Sequence, residues 1–113
     1  MKVMFVTNEY PPYIYGGAGV HVEYLSKELA KLMEVEVRSF HDQHYEKGNL
    51  VVNGKTPDAS LFKGCPQELT SPLKAFYDGL FFSGEGVTAD VVHCHTWYAH
   101  FAGILAKMLY GIP

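Results

Sequence analysis

Gly16, Gly17 and Gly19 stand just ahead of an amphipathic stretch, and His95 closes an apolar run further along; these are the residues whose types and spacing could do chemistry. Glycine lets a backbone approach a ligand that a side chain would hold away, and the first N–H groups of a helix have no partners inside it. Those free donors, with the positive end of the helix dipole, suit a phosphate or sugar oxygen. The same Gly-Gly-x-Gly also suits a tight turn that binds nothing. His95-Thr96-Trp97-Tyr98 offers an imidazole for a sugar hydroxyl or phosphate and aromatic rings for a pyranose face. Alone, His95 reads more readily as a strand-end histidine bonded to a carbonyl, and Trp97 as a core or cap aromatic. Glu9 and Tyr10, ahead of Pro11-Pro12, complete the candidate contacts. The Glu9 carboxylate either meets the ligand or holds the loop.

Much other chemistry is excluded. There is no GxSxG nucleophile motif and no GxxxxGK[ST] phosphate loop, and Glu9, Asp42, Asp58, Asp78, Glu85 and Asp90 share no spacing for paired acid–base work. Cys65 and Cys94 form no CxxC pair, which fits a reduced, cytoplasmic setting, and Cys94 reads as a small core residue. His93, His95 and His100 lack a carboxylate or cysteine at ligand spacing, so no metal and no cofactor is expected, and His41-Asp42-Gln43-His44 reads as a polar connection. With a net charge of −3 and no run of Lys or Arg, the chain has no broad attraction for nucleic acid or an anionic membrane. Met1 to Val6 is too short an apolar run for a signal peptide or a membrane span.

The elements that must position these residues follow from periodicity. Val3–Val6 has the unbroken hydrophobicity of a strand covered on both faces, and the helix after the glycines buries Val22, Leu25, Leu29, Leu32 and Met33. Val35–Phe40 is a second strand, which makes a right-handed βαβ unit. Gln43–Tyr45 and Leu50–Val52 flank Glu46-Lys47-Gly48-Asn49 as a small hairpin excursion, and Leu61–Pro66 reads as loop. Ser71-Pro72 reads as an N-cap with proline in the first helical position of a helix burying Leu73, Phe76, Tyr77, Leu80 and Phe81 and ending near Gly84 or Gly86. Asp90–His95 is the third core strand, and a last helix buries Phe101, Ile104, Leu105, Met108 and Leu109 before a Gly111 C-cap.

The order β-α-β-hairpin-α-β-α implies one α/β domain over residues 1–113: three layers, Rossmann-like, with a mostly parallel open sheet. Ligands of such sheets bind beyond the carboxyl ends of the strands, where the glycine loop and His95 both fall. The ending at Gly111-Ile112-Pro113, where a helix would hand over to another strand, leads us to expect a truncated domain. Its exposed sheet edge would invite a homodimer.

Thr7-Asn8-Glu9-Tyr10-Pro11-Pro12, then Tyr15-Gly16-Gly17-Ala18-Gly19-Val20-His21, and then Asp90-Val91-Val92-His93-Cys94-His95-Thr96-Trp97-Tyr98 together resemble the first domain of glycogen synthase-type glycosyltransferases. These are retaining enzymes in which two Rossmann-like domains face a cleft, the GT-B arrangement. The resemblance spans the whole chain. It implies transfer of glucose from ADP-glucose or UDP-glucose to an α-glucan or to glucose 1-phosphate, without a metal. It also implies that Gly16 and Gly17 contact the donor phosphates while the His95 segment lines the acceptor side. The family's second domain, which holds most of the nucleotide-sugar pocket, and a further histidine on the next strand are not in this chain, so residues 1–113 alone should not turn over substrate. Ile14 stands where the starch and bacterial glycogen synthases have Lys, and Thr96 where they have Asp, which points to the branch that includes maltose-1-phosphate-forming synthases.

Two other readings compete. Asp42 after the second strand is placed like a ribose-binding acid of a dinucleotide oxidoreductase, but the Tyr/Pro-rich insertion before Gly16 and Val22 in place of a third glycine break that fingerprint. A non-catalytic module binding a sugar phosphate or a protein partner fits the length equally well.

Overall fold

A computed structural model describes residues 1–113. Strands β1 (Lys2–Thr7), β2 (Glu34–Ser39), β3 (Gln43–Lys47), β4 (Leu50–Gly54) and β5 (Val91–His95) form a single sheet in the order β3-β4-β2-β1-β5. β4, β2, β1 and β5 run parallel and only the edge strand β3 is antiparallel. Three helices cover it: α1 (Gly17–Leu29), α2 (Thr70–Gly84) and α3 (Trp97–Tyr110). No helix is long and apolar enough to cross a membrane.

Side chains alternate across β1, and this builds two cores. Val3 and Phe5 face α1, where they join Val22, Val35, Val37, Leu50 and Val52. Met4 and Val6 face the other way and pack with Phe40, Phe82, Ala89, Ala99 and Ala102 beneath α2 and α3. The result is the three-layer α/β/α arrangement, with the central strands apolar on both faces because both are covered.

β1 is the strand from which the chain winds both ways. The sheet grows from β1 through β2 to β4 on one side and places β5 on the other, so the β1–β5 boundary is a topological switch point, where the crevice of an open α/β sheet lies.

The hairpin is present, and instead of standing off as an excursion it extends the main sheet, because β4 pairs in parallel with β2. Its loop is Gly48-Asn49, with Gly48 at φ +58° and Asn49 not in the positive-φ region, the pattern of a type II′ turn. Two short 3₁₀ turns bound the Leu61–Pro66 stretch expected to be loop: Ala59–Phe62 overlaps its start and Gln67–Leu69 follows it. The last helix ends as predicted, with Gly111 in the left-handed region at φ +68°.

The helix faces need correction. Leu32 lies beyond the end of α1 and is 80 % exposed. α2 begins at Thr70 after Leu69, with no side-chain cap, so Ser71 is inside the first turn and Pro72 follows it there. Its buried face is Ala75, Asp78, Gly79, Phe82 and Ser83, while Phe76 and Leu80 are exposed. On α3 the buried stripe is Ala99, Ala102 and Ala106, and Ile104, Met108 and Leu109 are exposed. The two helices lie so close that only small residues fit between them. A Cβ on Gly79 would sit 2.9 Å from Phe101 Cδ1, and Ser83 Oγ donates to the Ala102 carbonyl at 3.1 Å. Bulky apolar residues are therefore driven to the outer sides of the pair.

A buried polar link ties α2 to the sheet. Arg38 donates to the carbonyls of Phe82 and Gly86 and pairs with Glu36 at 2.6 Å, and Lys2 reaches Glu36 at 3.0 Å. Burial alone would raise the Glu36 carboxyl, but these two cations hold it below the usual carboxylate range.

Candidate binding crevice at the switch point

The glycine loop is shaped by Glu9. Thr7 Oγ1 and the Glu9 backbone exchange hydrogen bonds of 3.0 and 3.3 Å, which turns the chain sharply at the end of β1. Glu9 Oε2 then accepts the N–H groups of Tyr15 at 3.0 Å and Gly16 at 3.1 Å. The carboxylate passes over Gly19, where a Cβ would lie 2.9 Å from it, so only glycine fits there. Glu9 thus holds the loop, and Gly19 is the seat against which it rests.

Gly16 and Gly17 are different. A Cβ on either would meet nothing within 4 Å, so their backbone faces open space. Gly16 is the N-cap residue of α1 and no side chain caps that helix, which leaves the N–H groups of Gly17, Ala18 and Gly19 without acceptors inside it. Tyr10 lies elsewhere: it is 4 % exposed in the α1-side core, with its hydroxyl 2.8 Å from Ser26 Oγ.

Thr7 of β1 and His95 of β5 are partners in the parallel register, so the loop and the histidine leave the same rim of the sheet. His93 and His95 point to the α1 side and Cys94 to the α3 side, where its Sγ fills the space beside Gly103. Four rings lie in a row, the three imidazoles stacked and Phe5 tilted at its end. Phe5 and His93 have centroids 4.8 Å apart, His93 and His95 5.8 Å, and His95 and His21 of α1 5.1 Å at an interplanar angle of 25°. His21 is the residue that periodicity did not single out, although it lies one turn past Gly17 and so on the same side of α1.

Burial lowers the His95 pKa, and the neighbouring His21 and His93 lower it further against an opposing pull from Glu9; His93 is lowered by burial and by His21. The His95 ring therefore favours its neutral form, which has one donor and one acceptor nitrogen for a hydroxyl. Next to it, Thr96 adopts φ 69° and ψ 165°, a region almost reserved for glycine, before α3 begins. Trp97 is 54 % exposed and stacks on Tyr98 at 4.0 Å, and it lines a shallow groove of about 220 Å³ with Phe76 and Ile104 rather than the His95 ring row.

Beside the glycine loop on the same rim opens a cavity of about 480 Å³, between Asn8, Tyr15, His41, Ser71, Lys74 and Tyr98. Tyr15 Oη and His41 Nε2 are 3.3 Å apart across its mouth, and Tyr13 stacks on the His41 ring at 4.7 Å. Burial and the Lys74 charge lower the His41 pKa.

Open backbone donors at a helix start, an imidazole on the same rim and a cavity of about 480 Å³ beside the glycine loop are what the structure brings together. Residues 15–113 match Glycosyltransferase Family 4. The chain belongs to this family. It is 42 % identical over 113 residues to an alpha-maltose-1-phosphate synthase of Mycolicibacterium smegmatis and 36 % identical over 115 residues to one of Mycobacterium tuberculosis. An uncharacterized glycosyltransferase of Methanocaldococcus jannaschii is 30 % identical over 125 residues. All of this chain is covered in each case, but it spans only 27 to 29 % of those relatives' length. A sugar-transfer family on a Rossmann-like sheet is what the glycine and histidine segments implied.

Proposed function

We propose that this chain forms the acceptor-side half of a retaining GT-B glucosyltransferase, whose remaining nucleotide-sugar pocket lies in a second domain of the longer protein. The donor is ADP-glucose or UDP-glucose and the acceptor is glucose 1-phosphate. In the transfer, the bond from the glucose anomeric carbon to the nucleotide diphosphate breaks and a bond from that carbon to an acceptor hydroxyl oxygen forms. The hydroxyl proton leaves, and the nucleoside diphosphate departs.

The observation that carries this reading is the shared rim: the unpartnered amides of Gly17 and its neighbours open beside an imidazole that stacks on α1. Preorganised N–H donors and a helix N-terminus stabilise charge that builds on a departing diphosphate, and they need no reorganisation when it forms. Neutral His95 orients a sugar hydroxyl without bringing a full charge to a reacting centre that itself becomes cationic. Two maltose-1-phosphate synthases among the relatives, together with Ile14 and Thr96, favour glucose 1-phosphate over an α-glucan as acceptor.

The test is to incubate the intact protein with ADP-glucose or UDP-glucose and either glucose 1-phosphate or a maltooligosaccharide, and to read the product and its anomeric configuration by NMR. An α-linked phosphorylated disaccharide is expected. Inversion at the anomeric carbon, or no transfer with either donor, would refute the reading.

A further inference from the structure

We propose that the cavity around Lys74 is a phosphate-monoester site, which holds the phosphate of the acceptor sugar while its hydroxyl end lies toward His95. The proposal rests on the transferase reading above and deepens it by giving the acceptor's anion its own anchor.

The lining is unusual for this molecule. The chain carries 12 acidic and 9 basic residues, yet no carboxylate lines this cavity, whereas Lys74 and His41 do. Lys74 is also held differently from the surface lysines. Lys27 and Lys31 are closed onto Glu23 and Glu28 at 2.5 and 2.6 Å, which leaves them matched. The Lys74 ammonium lies 3.5 Å from Asp78, and neither Asp78 oxygen has a hydrogen-bond partner. It also donates to the Phe40 carbonyl at 3.3 Å and lies 5.5 Å from the Phe40 ring centroid. These contacts fix the ammonium at the cavity wall without using up its donors, since an ammonium has three.

The rest of the lining adds neutral donors of the kind a phosphate needs. Ser71 and Thr70 line the cavity from the first turn of α2, a fifteen-residue helix whose start no side chain caps. Tyr15 and Tyr98 bring phenol groups from the glycine loop and from α3. A fixed cation and a set of hydroxyls around some 480 Å³ suit a compact dianion with a sugar attached. The place within the fold assigns the source of that anion. Tyr15 directly precedes Gly16, and Tyr98 is three residues past His95, so the cavity adjoins both the glycine loop and the His95 segment.

The experiment uses the intact protein. Initial rates are measured with ADP-glucose against glucose 1-phosphate and, separately, against uncharged maltotriose, for the wild type, Lys74→Gln, Lys74→Arg and Ser71→Asp; glucose 1-phosphate binding is also followed by calorimetry without donor. Lys74→Gln should raise the KM for glucose 1-phosphate and weaken its binding by about tenfold or more, the loss expected for one charge-assisted contact. The donor KM and the rate with maltotriose should stay as they are, and Lys74→Arg should recover most of the affinity. Ser71→Asp puts a carboxylate in the cavity at a helix position that tolerates it, so a folded protein with the same acceptor defect is expected even if Lys74→Gln is unstable. Equal loss with both acceptors, a change confined to the donor KM, or unaltered glucose 1-phosphate binding would overturn the proposal. If no acceptor is glucosylated, the transferase reading fails by itself, and the calorimetric series still decides whether the cavity binds the monoester.

Discussion

His21 on α1 and His95 at the end of β5 stack with ring centroids 5.1 Å apart, and this contact joins the helix that bears the glycine loop to the strand across the switch point. The pair makes one crevice out of two segments far apart in sequence. After burial, it is the next contribution that lowers the His95 pKa, because positive charge on His21 disfavours a second charge beside it.

Replacing His21 with Phe keeps an aromatic ring in the row and removes that repulsion. The His95 midpoint, read from its imidazole proton shifts against pH, should move up toward the usual histidine value while burial still holds it somewhat low. An unmoved or lower midpoint would show that the two rings do not sense each other.

His95→Ala removes the hydrogen bond to the sugar but little of the core, since the ring is only half-buried. Transfer efficiency, kcat/KM, should fall by about tenfold to a hundredfold, with the melting temperature changed by only a few degrees. Steady-state rates and a thermal melt on the same preparation check both parts.

Gly17 and Gly19 should respond in opposite ways to alanine. At Gly17 the added methyl meets nothing, and alanine favours the helix by up to about 1 kcal/mol, so Gly17→Ala folds as well or better but weakens nucleotide-sugar binding by narrowing the approach to the amides. At Gly19 the methyl meets Glu9 Cβ at 2.9 Å and Ile14 Cγ1 at 3.0 Å, and a cost of about 1–3 kcal/mol in unfolding free energy is expected. Denaturant unfolding beside a binding titration separates the two effects.

Asp78 is 1 % exposed, and its burial, only partly offset by Lys74, raises its pKa from 3.8 to about 6. The folded state therefore binds this proton more tightly than the unfolded chain does. The penalty is full above about pH 6, where it amounts to roughly 3 kcal/mol, and it fades as pH falls toward 4. Asp78→Asn keeps the volume without the charge, so it should stabilise the fold at pH 8 and have progressively less effect toward pH 4. Unfolding free energies at several pH values test this, and a variant uniformly less stable at every pH would contradict it.

Most of the frame was legible in the sequence because it is written in backbone periodicity. The unbroken apolar run of β1, the turn at Gly48-Asn49 and the Gly111 cap each leave a local signature. The faces of α2 and α3 were not legible, because bulk does not mark burial there: the small residues Gly79, Ala102 and Ser83 decide how closely the helices approach. At the crevice, the glycines and His95 could be named from type and spacing. Tyr10 could not be told from a ligand contact, since only the packed structure shows its hydroxyl on Ser26. Lys74 carries no motif, and His21, though it ends the glycine segment, acquires a role only when α1 is placed against β5.

The most direct test follows the Gly16 and Gly17 amide resonances and the His95 imidazole resonances of the intact protein as ADP-glucose and then glucose 1-phosphate are added. Saturable shifts at the glycine amides with the donor, and at His95 when the acceptor completes the complex, are the expected result. Ligand-induced shifts that spare both segments, or donor shifts gathered on a different rim of the sheet, would contradict the account.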